Sequence, residues 1–530
     1  MSVRADPNAS PAPAGRAFTA VLRSPRALSV MLGAGALLVL GSALRLYRLD
    51  APSLWFDEGG SLAASAGSSL WSVGRGLLET EHGDHFQPLY FMLLHVWRGV
   101  AGDGVFALRV PSALFGVATL VVLWLLALRL YGVAHSLWVL GLASTSAFLV
   151  GHAQEARPYA VLLLWGAVQL YVFVRLRQAR EAGAGRGWLV AFWVVTGIGF
   201  FASLFLGLFG FVLAVADCVV FGRKGWLRTW IPAVAVGVPA LVFFLGSRVA
   251  THPAQTMVTQ RTGSLVRNAV YAVYGTLVGS DYGPPPELLH HGGALRTALD
   301  YWPQLAVAGL VVLGLAASFV FVWREQRREG TLSPWTRFLT LTLALSFVVA
   351  CVFAAATKVN WQPRHSFYLA LPLLLLLPLA TGARSAGLRR TGQVLLAVLI
   401  ALNGYSLSHF YWDARYEQDD YRAAAAYIRS QGPGTASVML YGAEDLLRYY
   451  GDERTVEGDD LTKDDLAREV AARTGGAPEV LVVLNRGWAW DADADAVIRR
   501  EMSEGYTLES TVTFPYFVIY RFRAVGSRAP

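Results

Sequence analysis

Long apolar blocks, each bounded by a few arginines, dominate this chain. A hydrocarbon layer about 30 Å thick takes about 20 apolar residues of helix to cross. Blocks of that order occur at 27–46, 110–130, 136–152, 159–175, 188–203, 206–222, 228–246, 303–323, 336–356, 365–382 and 391–409. Of the 530 residues, 55% are hydrophobic and 15% charged, against roughly 45–50% and 25% in soluble domains. That surplus excludes a soluble enzyme, a disordered chain and a secreted disulfide scaffold. Cys218 and Cys351 lie inside apolar blocks and offer neither a disulfide nor a metal framework. The net charge of +8 is carried by short arginine clusters between the blocks, which is the pattern of cytoplasmic loops and not of a nucleic-acid face.

Those clusters lie at the N-terminus (Arg4, Arg16, Arg23, Arg26), at 175–186, at 223–228, at 324–337 and at 384–390. If all five are cytoplasmic, an even number of crossings separates each neighbouring pair. The short block Pro88–Ala101, which contains His95 and Arg98, breaks that parity if it crosses, so it is expected to lie on the outer membrane surface. The expectation is a mainly α, polytopic membrane protein of about eleven spans, with the N-terminus inside and the C-terminus outside. Residues 1–26 form a cytoplasmic tail and 27–410 the membrane domain, with outer loops at 47–109 and 247–302. Residues 411–530 form a small extracytoplasmic α/β domain. Within 247–302 an amphipathic helix is expected at 264–279, and a tight turn near Ser203 separates two short spans. In the C-terminal domain Tyr421–Ser430 and Ala443–Tyr450 read as helices, and Ala436–Tyr441, Val480–Leu484 and Phe514–Phe522 as strands.

Four stretches place ionisable groups at the outer interface. Trp55-Phe56-Asp57-Glu58-Gly59-Gly60 sets two adjacent carboxylates among aromatics and glycines; strand or helix geometry directs only one of them to a given site. Gly83–Tyr90 brings Asp84, His85 and Tyr90 to headgroup depth. Gln154-Glu155-Ala156-Arg157-Pro158-Tyr159 puts an acid and a base where two spans meet, where charges are costly unless partnered. Lys358 and Arg364 run against the charge bias and suit an anionic headgroup. Each stretch has a plainer reading: a solvated loop, an aromatic belt, a Glu155–Arg157 clamp, or anchoring to bulk lipid. Together they favour chemistry on a lipid phosphate at the outer face. A transporter or flippase of lipid-linked sugars is the alternative, although the span centres carry almost no charge, unlike most such pathways.

Leu54–Glu58, Gln87-Pro88-Leu89-Tyr90, Leu108–Gly116 and Gln154–Tyr159, in that order, resemble the GT-C superfamily of membrane glycosyltransferases. The likeness is to the bacterial branch similar to protein O-mannosyltransferases and aminoarabinose (ArnT-like) transferases. It implies a GT-C fold and transfer of a sugar from a polyprenyl-phosphate donor to an extracytoplasmic acceptor, whether glycan, lipid or protein, in a bacterial inner membrane. It also implies that Asp57 is the catalytic carboxylate with Glu58 beside it. The helix from Pro88 would line the donor cavity, and Glu155 and Arg157 would complete the site. His85, Tyr90 and Tyr159 join the donor-binding candidates, with Lys358 and Arg364 on the phosphate. Where the family often has His-Pro-Pro, this chain has Phe86-Gln87-Pro88. The cofactor is left open, with Asp57, Glu155 and His290 as candidate ligands of a divalent cation.

Overall fold

The computed structural model describes residues 27–79, 87–250, 264–285, 288, 294–357, 361–432, 434–458, 465–486 and 494–526. The expected N-terminal tail, Asp84, His85, Lys358 and His290 therefore lie outside the described residues. Among those described, eight helices are long and apolar enough to cross a membrane, or nine if a bent pair counts as one span. Two shorter apolar helices, Arg186–Ala202 and Phe367–Gly382, stand where further crossings are expected from the sequence. The chain is thus a multi-pass membrane protein.

Two of the expected spans are not continuous helices. The block at 136–152 is divided at Ser146 into Val133–Thr145 and Ala147–Ala153, bent by 55°. A break at this depth orphans backbone groups that no water can satisfy, and side chains take them up. The buried Arg45 donates to the carbonyls of Ala143 and Ser144 at 3.1 and 3.4 Å. The Ser146 side chain accepts from Leu149 N–H at 3.3 Å. Asn403, on the helix Ala386–Trp412, accepts from Ala147 N–H at 2.8 Å and donates to Leu277 C=O at 2.8 Å. The second interruption is the block at 365–382, where a 3-10 turn Pro363–Ser366 leads into the α-helix Phe367–Leu376 and a 3-10 segment Leu377–Gly382.

The turn at Ser203 is one extended residue between Arg186–Ala202 and Leu204–Phe221. The amphipathic helix in the 247–302 region spans Leu265–Val278. It leaves Val266 and Val270 exposed and buries Ala272, Thr276 and Val278. The helix Pro88–Ala101 buries Tyr90, Phe91 and Leu94 and leaves Leu93, Val96 and Val100 exposed on the other side, an uncovered apolar face suited to lipid.

The four described basic clusters lie at one end of the bundle, where Arg180 donates to Thr229 at 2.7 Å, the Phe221 and Trp335 rings meet at 5.0 Å and Arg384 pairs with Glu329 at 2.7 Å. At the other end sits the C-terminal domain. Its sheet has the order β2-β1-β3-β5-β4, with β1 Ala436–Leu440, β2 Thr455–Glu457, β3 Glu479–Asn485, β4 Tyr506–Phe514 and β5 Phe517–Ala524. β1 is parallel to β2 and β3, whereas β5 is antiparallel to β3 and β4. The strand expected at 514–522 corresponds to β5, which begins only after Pro515-Tyr516 turns the chain, with Tyr516 at φ 59°; β4, its hairpin partner, is not among the expected strands. The helix Tyr421–Ser430 is as expected, and the next helix is Glu444–Tyr449. One face of the sheet and these two helices share a hydrophobic core with the 47–109 region, in which Leu54, Val73, Phe91, Leu446 and Ile519 are all buried.

Replacing Asn403 by Leu should orphan Ala147 N–H and Leu277 C=O at a cost of about 1–3 kcal/mol for each buried group. A thermal unfolding series in detergent should show a clear loss for Asn403→Leu.

Candidate active site

The site grows from the short helix Phe56–Ala64, which begins ten residues after the first span ends at Leu46. Acidic residues in a first turn are favoured by the helix dipole, and Asp57 and Glu58 both stand there. On a helix they point about 100° apart, and their environments differ completely.

Glu58 is enclosed. Its Oε1 accepts from Arg109 Nε at 2.8 Å and from Ala156 N–H at 2.7 Å; its Oε2 accepts from Arg109 Nη2 at 2.6 Å and from Trp55 N–H at 3.4 Å. Arg109, in the first turns of the span Val105–Tyr131, spends its remaining donors on the carbonyls of Leu49, Pro52 and Ser53 at 2.8–3.1 Å. Both side chains are buried, with 0% and 4% exposure for Glu58 and Arg109. A carboxylate with four donors on it and no opening to solvent has no lone pair left for a substrate proton. Glu58 therefore holds the loop and does not stand beside Asp57 as a second reactive acid. Arg109, the buried partner of Glu58, is a residue that sequence reasoning left out, although it sits in one of the quoted motifs.

Asp57 is partly open. Its Oδ2 accepts from Arg364 Nη1 at 2.9 Å, with side-chain exposures of 13% and 23% for the pair. Its backbone carbonyl accepts from Arg157 Nη1 at 2.8 Å, and the same nitrogen donates to Ser61 Oγ at 3.1 Å. Arg157 thus grips the Asp57 helix, and no Glu155–Arg157 clamp forms among the described residues. Glu155 instead lies 3.5 Å from His152 Nδ1. Arg364 Nε is buried without a hydrogen-bond partner among the described residues.

Three further groups frame this centre. Tyr159 packs against His152 with tilted rings, centroids 5.0 Å apart, and the Arg157 guanidinium lies 6.0 Å from the Tyr159 ring. Tyr90 is 1% exposed, its hydroxyl 3.3 Å from Ser112 Oγ, and burial pushes its phenol well above the ordinary range. It ties the surface helix to the next span. His365, next to Arg364, accepts from Gln362 N–H at 3.3 Å through Nδ1. Burial first, then the charges of Arg364 and His152, push it down to about 3, so it is neutral.

Asp281 is the other residue that sequence reasoning missed. It lies on the 3-10 turn Ser280–Tyr282 after the 265–278 helix. His409 Nδ1 holds its carbonyl at 2.7 Å, and Tyr416 donates to Gly283 C=O at 2.5 Å. The 265–278 helix also seats the Arg364 turn, for a Cβ on Gly275 would lie 2.5 Å from Pro363 Cγ. Burial, reinforced by the nearby Glu155 carboxylate, pushes Asp281 up to about 7. Asp57 and Glu155 are the described metal-ligand candidates, and no group of three His, Cys, Asp or Glu side chains able to hold a metal occurs among the described residues.

The architecture has known counterparts. ArnT from Cupriavidus metallidurans in the apo state aligns with 94% of this chain and 98% of its own, at 14% identity and a TM-score of 0.56. The same protein bound to undecaprenyl phosphate aligns over the same shares at 14% identity and 0.53. The chain has the GT-C fold. In sequence, the family of dolichyl-phosphate-mannose-protein mannosyltransferases matches residues 84–247, a stretch of the GT-C framework that includes Tyr90, Arg109, Glu155, Arg157 and Tyr159. The Archaeoglobus fulgidus oligosaccharyltransferase aligns with 91% of this chain and 72% of its own at 12% identity, with a TM-score of 0.48. No curated protein matches the chain in sequence.

Two measurements check these assignments. Glu58→Gln leaves the buried Arg109 without its counter-charge, and breaking such a pair costs about 3–5 kcal/mol. It should lower thermal stability far more than Asp57→Asn, whose pair is partly exposed. Asp281 has a folded pKa raised above its unfolded value of 3.8. Its contribution to stability is therefore complete below that value and is lost as pH rises through about 7. Between pH 4 and 8 the wild type should lose more melting temperature than Asp281→Asn.

Proposed function

We propose that this protein is a membrane glycosyltransferase that moves a sugar from a polyprenyl-phosphate donor to a hydroxyl of an extracytoplasmic acceptor, inverting the anomeric centre. The observation that carries the reading is the Asp57–Arg364 pair, gripped by Arg157 at the domain end of the bundle. The fold it occupies is shared with an ArnT structure that holds undecaprenyl phosphate.

A sugar on a lipid phosphate already has a good leaving group, so the site needs a base for the acceptor and cations for the departing phosphate. Asp57 takes the proton of the acceptor hydroxyl as the oxygen attacks the anomeric carbon. The new carbon–oxygen bond forms as the bond to the phosphate oxygen breaks, and the electron pair leaves with the polyprenyl phosphate. Arg364 links the two events. In the free protein its Nη1 neutralises Asp57. A donor phosphate drawn to its other edge, where Nε has no partner among the described residues, shares that guanidinium with Asp57. The positive-inside bias of the basic clusters supports an extracytoplasmic site.

The test is transfer from radiolabelled polyprenyl-phosphate sugars to a cell-envelope extract by purified full-length protein. A carboxylate base contributes about 10²–10⁴ in rate, so Asp57→Asn should lose that factor while remaining folded. Near-wild-type turnover by Asp57→Asn would remove Asp57 from its role. Donor binding without transfer for every donor tried would favour a transporter of lipid-linked sugars.

A further inference from the structure

The C-terminal domain reaches the Asp57 helix at three points. The first four N–H groups of a helix have no partner within it, and Asp419 Oδ2, just before the helix Tyr421–Ser430, accepts from Phe56 N–H at 3.3 Å. Asp419 is itself held by Asn485 Nδ2 of β3 at 3.3 Å. Two residues earlier, Leu54 N–H donates to Tyr450 Oη at 2.8 Å. On the next face, Leu446 lies against Gly59 so closely that a Cβ there would be 2.8 Å from its Cγ and Cδ1. Leu446 is 1% exposed inside the shared core and has little room to retreat.

We propose that the C-terminal domain is a positioning element of the active site, which sets where Asp57 stands by holding Leu54, Phe56 and Gly59 from above. The proposal rests on the reading of Asp57 as the base. Glu58 and Arg109 fix the helix from the membrane side, and Asp419, Tyr450 and Leu446 fix it from the domain side. Asp57 lies between two clamps, so a shift of the domain is a shift of the carboxylate. A reacting group misplaced by about 1 Å loses on the order of 100-fold in rate, which is the leverage this arrangement gives to the domain.

The experiment is a size swap across the contact, read in full-length protein with a polyprenyl-phosphate sugar as donor. Alanine favours a helix over glycine, so Gly59→Ala does not weaken the helix itself; it pushes it off Leu446. The expected result is about a 10–100-fold fall in kcat with the donor KM unchanged, recovered to within about threefold when Leu446→Ala is added, the signature of coupled neighbours. Wild-type kcat for Gly59→Ala, or a loss that Leu446→Ala does not recover, overturns the proposal. Asp57→Asn in the same assay separates the two readings: an active Asp57→Asn removes the base assignment, whereas an inactive one beside a fully active Gly59→Ala removes only the positioning role. Amide exchange across Phe56–Ala64 provides a readout independent of turnover. Faster exchange in Tyr450→Phe than in wild type supports the coupling, and equal exchange overturns it.

Discussion

A carboxylate and a guanidinium taken out of water must have every donor and acceptor met, and the Glu58–Arg109 pair achieves this with the help of backbone groups. Arg109 reaches from a membrane span into the 47–109 region, and three of its contacts are the backbone carbonyls of Leu49, Pro52 and Ser53. Glu58 completes the lock by taking Ala156 N–H from the tight turn between two other spans. One ion pair thus fixes a loop, a span and an interhelical turn relative to one another. The helix that carries Asp57, the Arg157 grip on it and the platform for the C-terminal domain all depend on that arrangement.

Adjacent residues here have opposite fates for a geometric reason. The 100° step between neighbours on a helix turns Glu58 into the protein and Asp57 towards Arg364. The enclosed acid gives rigidity, and the partly open one pairs with Arg364. The cations divide similarly: Arg109 has every donor engaged, whereas Arg364 shares a carboxylate and its Nε has no hydrogen-bond partner among the described residues. The membrane domain accommodates this centre by bending and shortening elements, with the break at Ser146 held by Arg45 and Asn403.

Much of this was legible in the sequence because it rests on local signals. The apolar blocks, the amphipathic periodicity of 265–278 and the helix at 421–430 follow from residue spacing. The break at Ser146 was hidden because the block stays apolar throughout and the residues that compensate, Arg45 and Asn403, are distant in the chain. The strand before Pro515-Tyr516 was missed because Tyr506–Phe514 is mostly polar in its middle, Glu509-Ser510-Thr511, and only 514–522 reads as apolar strand. In the site, Asp57, Arg157 and Arg364 were visible as ionisable groups at an interface. Glu58 could not be told from Asp57 without knowing that Arg109 arrives from another span. Asp281 was a single acid in a polar loop, and only the packing of His409, Tyr416 and Glu155 around its turn gives it a distinct environment.

The central claim is that Arg364 links the base to the leaving phosphate, and an experimental structure with undecaprenyl phosphate bound tests it most directly. The account predicts the phosphate within hydrogen-bond distance of the Nε edge of Arg364, with Asp57 facing the space in front of it. A phosphate seated at the arginine-rich opposite end of the bundle, or at the domain end without contact to Arg364, would contradict it.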